Sequence, residues 1–135
     1  MTLVIDSSIA LAWFLPDESS PLADRILIEV TQGVAHVPPL FPVEFGNALV
    51  MAVRRRRIDQ AYRLRTFERM AELGLITDWG GGDQVWTDAV ELADVHGLTL
   101  YDSMYLELAL RTGLPLATLD KRLARAALEI GVLHS

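Results

Sequence analysis

The sequence predicts an α/β fold built on a mostly parallel sheet. Short apolar runs of strand character recur along the chain and alternate with stretches of helical periodicity. Several of these runs end directly at an Asp or a small polar residue where the next helix begins, which is the pattern of βα units. No repeat, low-complexity segment or internal linker interrupts the 135 residues. A single domain over 1–135 is therefore expected, long enough to bury a sizeable core.

Taken in order, Thr2-Leu3-Val4-Ile5 is a buried strand running into Asp6, on the carboxyl edge where open α/β sheets place their ligands. Ser7 to Phe14 follows as a short helix, capped by Ser7 or Ser8 and stopped by Pro16. Pro21 starts a second helix with Leu22, Ile26 and Val30 on one stripe, and Gly33 ends it. Ala35-His36-Val37 is a brief strand closed by Pro38-Pro39. A long helix is expected from about Pro42 to Arg56, with Phe45, Leu49 and Ala52 inward. Asp59 caps a further helix to about Leu73 that turns Tyr62, Phe67 and Met70 to its apolar side. Leu75-Ile76-Thr77 is a strand, and Gly80-Gly81-Gly82 a flexible turn without the spacing of a phosphate-binding loop. Asp83 is expected to cap a helix to His96, ended by Gly97. Leu98-Thr99-Leu100 is an extended lead into a helix that begins near Asp102 and ends at Gly113. Leu116-Ala117-Thr118 is a strand, Asp120 starts a helix to Ile130, and Val132-Leu133 is a closing strand.

Composition narrows the class. A hydrophobic fraction of 51% fits a packed globular chain. No window approaches the roughly 18 uninterrupted apolar residues of a membrane span. Asp6 inside the first apolar run, and no basic residue before Arg25, argue against a signal peptide. Zero cysteines exclude disulfides and thiolate metal sites and suit a cytoplasmic location. The net charge of −6 hides a segregation. Residues 54–69 hold Arg54, Arg55, Arg56, Arg57, Arg63, Arg65 and Arg69 against Asp59 and Glu68, whereas the rest of the chain is strongly acidic.

Among the acids, Asp6, Asp102 and Asp120 each stand where an extended segment turns into helix, and helix capping explains any one of them alone. Glu44 sits in the apolar stretch from Leu40 to Leu49, where a carboxylate is costly unless paired, metal-bound or turned to solvent. Asn47, one turn on, is placed to hydrogen-bond it. The combination says more than the parts. Parallel strands share a direction, so Asp residues after them gather on one edge, and Glu44 from an intervening helix can reach it. Mutually repelling carboxylates raise one another's pKa unless a cation neutralises them. An oxygen-only set selects a hard cation, Mg²⁺ or Mn²⁺. His36, His96 and His134 are scattered and are read as structural or surface residues.

The segments Val4-Ile5-Asp6-Ser7-Ser8, Glu44-Phe45-Gly46-Asn47-Ala48-Leu49, Leu100-Tyr101-Asp102-Ser103-Met104-Tyr105-Leu106 and Ala117-Thr118-Leu119-Asp120 resemble, in order and separation, the PIN-domain ribonucleases, specifically the VapC-type toxins of toxin–antitoxin pairs. Each segment alone is a weak signal, but the set spans essentially the whole chain. The resemblance implies a PIN-like three-layer domain with a five-stranded, mostly parallel sheet between helices. It implies a homodimer, and a cognate VapB-type antitoxin whose tail covers the active site. Residue by residue, it implies that Asp6, Glu44, Asp102 and Asp120 form the catalytic, metal-binding cluster. Ser7 and Thr118 would be supporting hydroxyls, and Asn47 would orient Glu44. The implied activity is Mg²⁺-dependent (or Mn²⁺-dependent) endoribonucleolytic cleavage by metal-activated water.

The arginine run Arg54-Arg55-Arg56-Arg57 is not part of that resemblance. Physically it suits a polyanion, whether RNA or an acidic antitoxin segment, or simply a solvated helix end. Two phosphoryl-transfer folds with an Asp after strand one fit poorly. A haloacid-dehalogenase-type phosphatase needs a second Asp where Ser8 stands, and a receiver needs a separate late Lys, but Lys121 directly follows Asp120. The alternatives are a housekeeping PIN nuclease of RNA processing and a non-catalytic PIN-like binding module.

Overall fold

In the computed structural model, which describes residues 2–135, strand β1 (Thr2–Ile5) is the axis of the sheet. Leu3, Val4 and Ile5 are all buried, as a strand covered on both faces requires. Helix α1 (Ser7–Phe14), a 3₁₀ turn (Pro16–Glu18) and α2 (Pro21–Gln32) lead to β2 (Val34–Val37), which pairs parallel to β1. Helices α3 (Phe41–Arg54) and α4 (Gln60–Glu72) lead to β3 (Ile76–Thr77), parallel to β2. A 3₁₀ turn (Asp83–Val85), α5 (Asp88–His96) and α6 (Leu100–Thr112) lead to β4 (Leu116–Ala117), parallel to β1, and α7 (Lys121–Glu129) follows. The sheet order is β3-β2-β1-β4, so four parallel strands are flanked by seven α-helices.

The expected fifth strand shrinks to one parallel bridge between Leu116 and Leu133. The Leu116 N–H donates to the Val132 carbonyl at 2.7 Å and the His134 N–H to the Leu116 carbonyl at 2.9 Å, and β4 itself is only two residues long. A second correction concerns residues 98–100, which form no strand. Gly97 closes α5 at φ 65° with the Leu98 N–H donating to the Ala93 carbonyl at 3.0 Å. Only Gly97, Leu98 and Thr99 separate the two helices, too short a link for an extended pairing segment. Asp83 does not cap an α-helix either: Gly82 is already in helical conformation, so Asp83 lies inside a 3₁₀ turn, and α5 begins at Asp88.

Helix α3 is anchored by aromatic packing at its start. The Phe41 and Phe45 rings stack at 5.7 Å, and Phe45 meets Phe14 edge-on at 6.2 Å and Phe67 at 6.4 Å. Of the expected Tyr62–Phe67–Met70 set only Met70 is buried; Thr66 joins it, Tyr62 is half-buried and Phe67 keeps 38% of its surface exposed. With Phe41, Phe45, Leu49 and Ala52 inward, Glu44 is left at the flank of the first turn, half-buried.

Candidate active site

Asp6 is the most deeply placed carboxylate at the sheet's carboxyl edge, with 4% of its surface exposed. The register explains its neighbours. Ile5 pairs with Ala117, and the Asp6 N–H donates to the Ala117 carbonyl, so the next residue, Thr118, lies beside Asp6. The Thr118 hydroxyl donates to Asp6 Oδ2. The Ser8 hydroxyl donates to Oδ1 at 2.6 Å, and the Ile9 N–H donates to the same oxygen at 3.2 Å. Asp6 itself is therefore the N-cap of α1, the capping role open to it from the sequence, and neither Ser7 nor Ser8 is the cap. Burial nevertheless wins over these donors and pushes the Asp6 pKa up to about 6.

Thr118 thus stands where a supporting hydroxyl was expected, whereas Ser7 does not touch Asp6. Ser8 takes the place beside Asp6, and its oxygen also accepts from the Leu119 N–H at 2.9 Å, tying the first turn of α1 to the segment that leads into α7. Its position two residues after a strand-ending Asp was a usable signal for this role.

Glu44 accepts a hydrogen bond from the Tyr105 hydroxyl at 2.6 Å, across the gap between α3 and α6. Burial and the Glu44 carboxylate together push the Tyr105 phenol far above its ordinary range, so it remains a donor. Among the described residues, Asn47 makes no hydrogen bond to Glu44; it is exposed on the next turn. Tyr105 orients Glu44 instead, and a contact spanning 61 residues is invisible to helical spacing.

Asp102 occupies the third position of α6, not the cap. Thr99 caps that helix by accepting from the Asp102 N–H at 3.1 Å. Burial raises the Asp102 pKa, and the charges of Asp120 and Glu44 raise it further. The Asp102 charge in turn raises Asp6. Asp120 is the N-cap of α7, with Oδ1 accepting from the Leu123 N–H at 2.9 Å. Each of these four carboxylates therefore feels at least one of the others, and among the described residues none is ion-paired to a Lys, Arg or His. His96 pairs with Glu129 and His134 with Glu29, away from this cluster.

Among the described residues, no three acids or histidines close into a preformed metal cage. The donor set still fits a hard divalent ion. It is all oxygen, carries uncompensated negative charge and combines a rigid member, Asp6, with more open ones, Asp102 and Asp120. The Arg54–Arg57 run lies at the far end of α3 from Glu44. Arg57 there is engaged by Asp17 at 2.8 Å and Glu18 at 2.7 Å.

Comparison with known proteins gives the family and the fold. The family described as PIN domain matches residues 3–129. Ribonuclease VapC3 of Pyrobaculum aerophilum is 32% identical over 124 residues, 92% of this chain and 93% of that protein. The crystal structure of PAE2754 from the same organism superposes with a TM-score of 0.68 over 93% of this chain and 84% of that one, at 23% identity. That level of identity speaks for a shared fold.

Proposed function

The chain belongs to the PIN domain family, and on that premise we propose that it is a metal-dependent endoribonuclease, the toxin of a VapBC-type pair acting in the cytoplasm. The observation that carries the proposal is the set of Asp6, Glu44, Asp102 and Asp120: the charges of Asp120 and Glu44 raise the Asp102 pKa, that of Asp102 raises Asp6, and among the described residues no basic side chain is paired with any of the four. A similarity to a protein named Ribonuclease VapC3 supports the same activity. Asp6, Asp102 and Asp120 would hold Mg²⁺ (or Mn²⁺), with Glu44 beside them. When bound, such an ion supplies an activated water and charge stabilisation on the phosphate.

The chain's own residues do the rest. Ser8, Thr118 and the Ile9 N–H lock both oxygens of Asp6 in one orientation, so this carboxylate is positioned before any ligand arrives. The Tyr105 hydroxyl holds Glu44 from one side and leaves its second oxygen free to accept a proton from water during in-line attack on phosphorus. Asp120, bound to the α7 backbone through Oδ1, keeps Oδ2 for a ligand. A cognate antitoxin, whose inhibition would cover this edge, and a homodimer are the partners proposed with this function.

The test is cleavage of a labelled structured RNA pool by the wild type, Asp6→Asn and Asp102→Asn, in Mg²⁺, Mn²⁺ or EDTA. Metal-dependent cutting by the wild type, reduced at least about a hundredfold in both variants, is expected. Equal cutting by all three would remove the acids from the chemistry. No cutting, with no metal uptake by calorimetry, would leave a PIN-like binding module.

A further inference from the structure

The acids leave an unsolved problem of affinity. A polyanionic substrate must settle against an edge of repelling carboxylates on a chain whose net charge is −6. The basic residues that offset this are gathered at the corner between α3 and α4. Glu44 and Arg54 are ten residues apart on one continuous helix, which separates them by about 15 Å at 1.5 Å per residue. The basic corner is therefore distinct from the carboxylate edge.

We propose that this corner is a phosphate-anchoring exosite for RNA, in which Arg54, Arg55, Arg56 and Arg65 hold the substrate's backbone several nucleotides from the cleavage point. The inference rests on the nuclease function proposed above and adds to it the surface that supplies affinity. Three features favour it. First, Arg54, Arg55 and Arg56 are exposed and, among the described residues, carry no ion pair, while Arg57 is clamped by Asp17 and Glu18 and so fixes the corner to the segment after α1. Second, a cleft of about 660 Å³ opens there, lined by Arg56, Arg57, Arg65 and Tyr62 among others. The Arg65 guanidinium sits over the Tyr62 ring at 5.8 Å from its centroid, and the Tyr62 hydroxyl donates to the Phe14 carbonyl, so this arginine is pre-oriented. Guanidinium forks suit bidentate phosphate contacts better than ammonium groups do.

The third feature is a strained backbone. Arg56 is the one described non-glycine residue at positive φ, at 59°. The Arg56 N–H donates to the Val53 carbonyl and the Arg57 N–H to the Ala52 carbonyl, which closes α3 in the motif whose left-handed position is normally glycine. The chain keeps an arginine where glycine fits the backbone better. Strain at such a position points to use of the side chain.

The same strain supplies a clean variant. Arg56→Gly relieves the backbone while removing the charge, so a triple variant Arg54→Ala/Arg55→Ala/Arg56→Gly is expected to unfold no earlier than the wild type. The probe is a fluorescein-labelled stem-loop RNA with single-stranded tails, titrated by anisotropy in EDTA across a salt series, so that nothing is cut. Three or four phosphate contacts give a wild-type log–log salt slope of about −2 to −3, from roughly −0.7 per contact on single strands. The triple variant is expected to bind at least about tenfold more weakly, with a slope shallower by about 2. A control that removes charge elsewhere, Arg25→Ala/Arg125→Ala, is expected to stay within about twofold of wild type.

Wild-type affinity and slope in the folded triple variant would overturn the exosite. So would unchanged RNA binding together with lost binding of poly-glutamate, which would assign the corner to an acidic protein. Because binding is read without metal, the two proposals fail separately. Arginine-dependent binding without cleavage in Mg²⁺ would sink the nuclease and keep the exosite, and cleavage with arginine-independent binding would do the reverse.

Discussion

Asp6 shows how a residue can be costly to the fold and useful to the site. Its pKa rises from 3.8 to about 6, chiefly because burial disfavours the charge. The folded protein therefore binds this proton more tightly than the unfolded chain does. The stability it contributes is full below about pH 3.8 and is lost as pH rises through about 6, a span of about 3 kcal/mol. Asp6→Asn keeps the shape and removes the ionisation. In EDTA it is expected to be more stable than wild type by about 1–3 kcal/mol at pH 8, with the gap closing towards pH 4, as followed by urea unfolding. Parallel stability curves for the two proteins across that range would show that burial does not govern this carboxylate. The importance of Asp6 was legible in the sequence because an apolar strand ran straight into it. Its lock was only partly so. Thr118 was named, but Ser8 was passed over for Ser7, since the strand register that sets Thr118 beside Asp6 is not a local property of the chain.

At the scale of elements, the helices were legible where a local residue marks an end, as Pro21 and Gly33 do for α2, Asp59 for α4 and Asp120 for α7. Legibility failed where long-range contacts shape a segment with weak periodicity of its own, and residues 78–87 are the main instance. Arg111 of α6 reaches Asp78 at 3.0 Å and Glu107 at 2.7 Å, and the glycine turn lies directly against it. A Cβ built on Gly81 would approach Arg111 Nη2 to 2.7 Å and Glu107 Oε2 to 3.2 Å, so this glycine serves close approach as well as flexibility. The ion pair holds the Asp78 carboxyl below its usual range. Arg111→Met would leave the buried Glu107 carboxylate without its cation and free the turn after β3. It is expected to cost roughly 2 kcal/mol in urea unfolding. It should also speed amide hydrogen exchange across 80–87 while leaving α1–α3 unchanged. A loss spread evenly over the molecule would mean the clamp has no local role.

At the scale of the whole molecule, charge is sorted by place: carboxylates at the carboxyl edge of the sheet, arginines at the far end of α3. The sorting was legible as numbers along the chain, but the separation needed the helix that spans it. Its energetic consequence is that the metal-free fold carries unrelieved repulsion among Asp6, Glu44, Asp102 and Asp120. A ligand that binds only the folded state stabilises it by mass action, by about 2.7 kcal/mol at a hundred times its dissociation constant. Mg²⁺ or Mn²⁺ at that level is therefore expected to raise the unfolding midpoint above that in EDTA, and more at pH 8 than at pH 5, where protonation competes for the same oxygens. Asp102→Asn removes one of the donors and one of the repelling charges. It should be slightly more stable than wild type in EDTA and gain little from the ion. A wild type whose midpoint is the same in Mg²⁺, Mn²⁺ and EDTA at both pH values would break the link between this carboxylate cluster and a divalent cation, whatever activity the protein then showed.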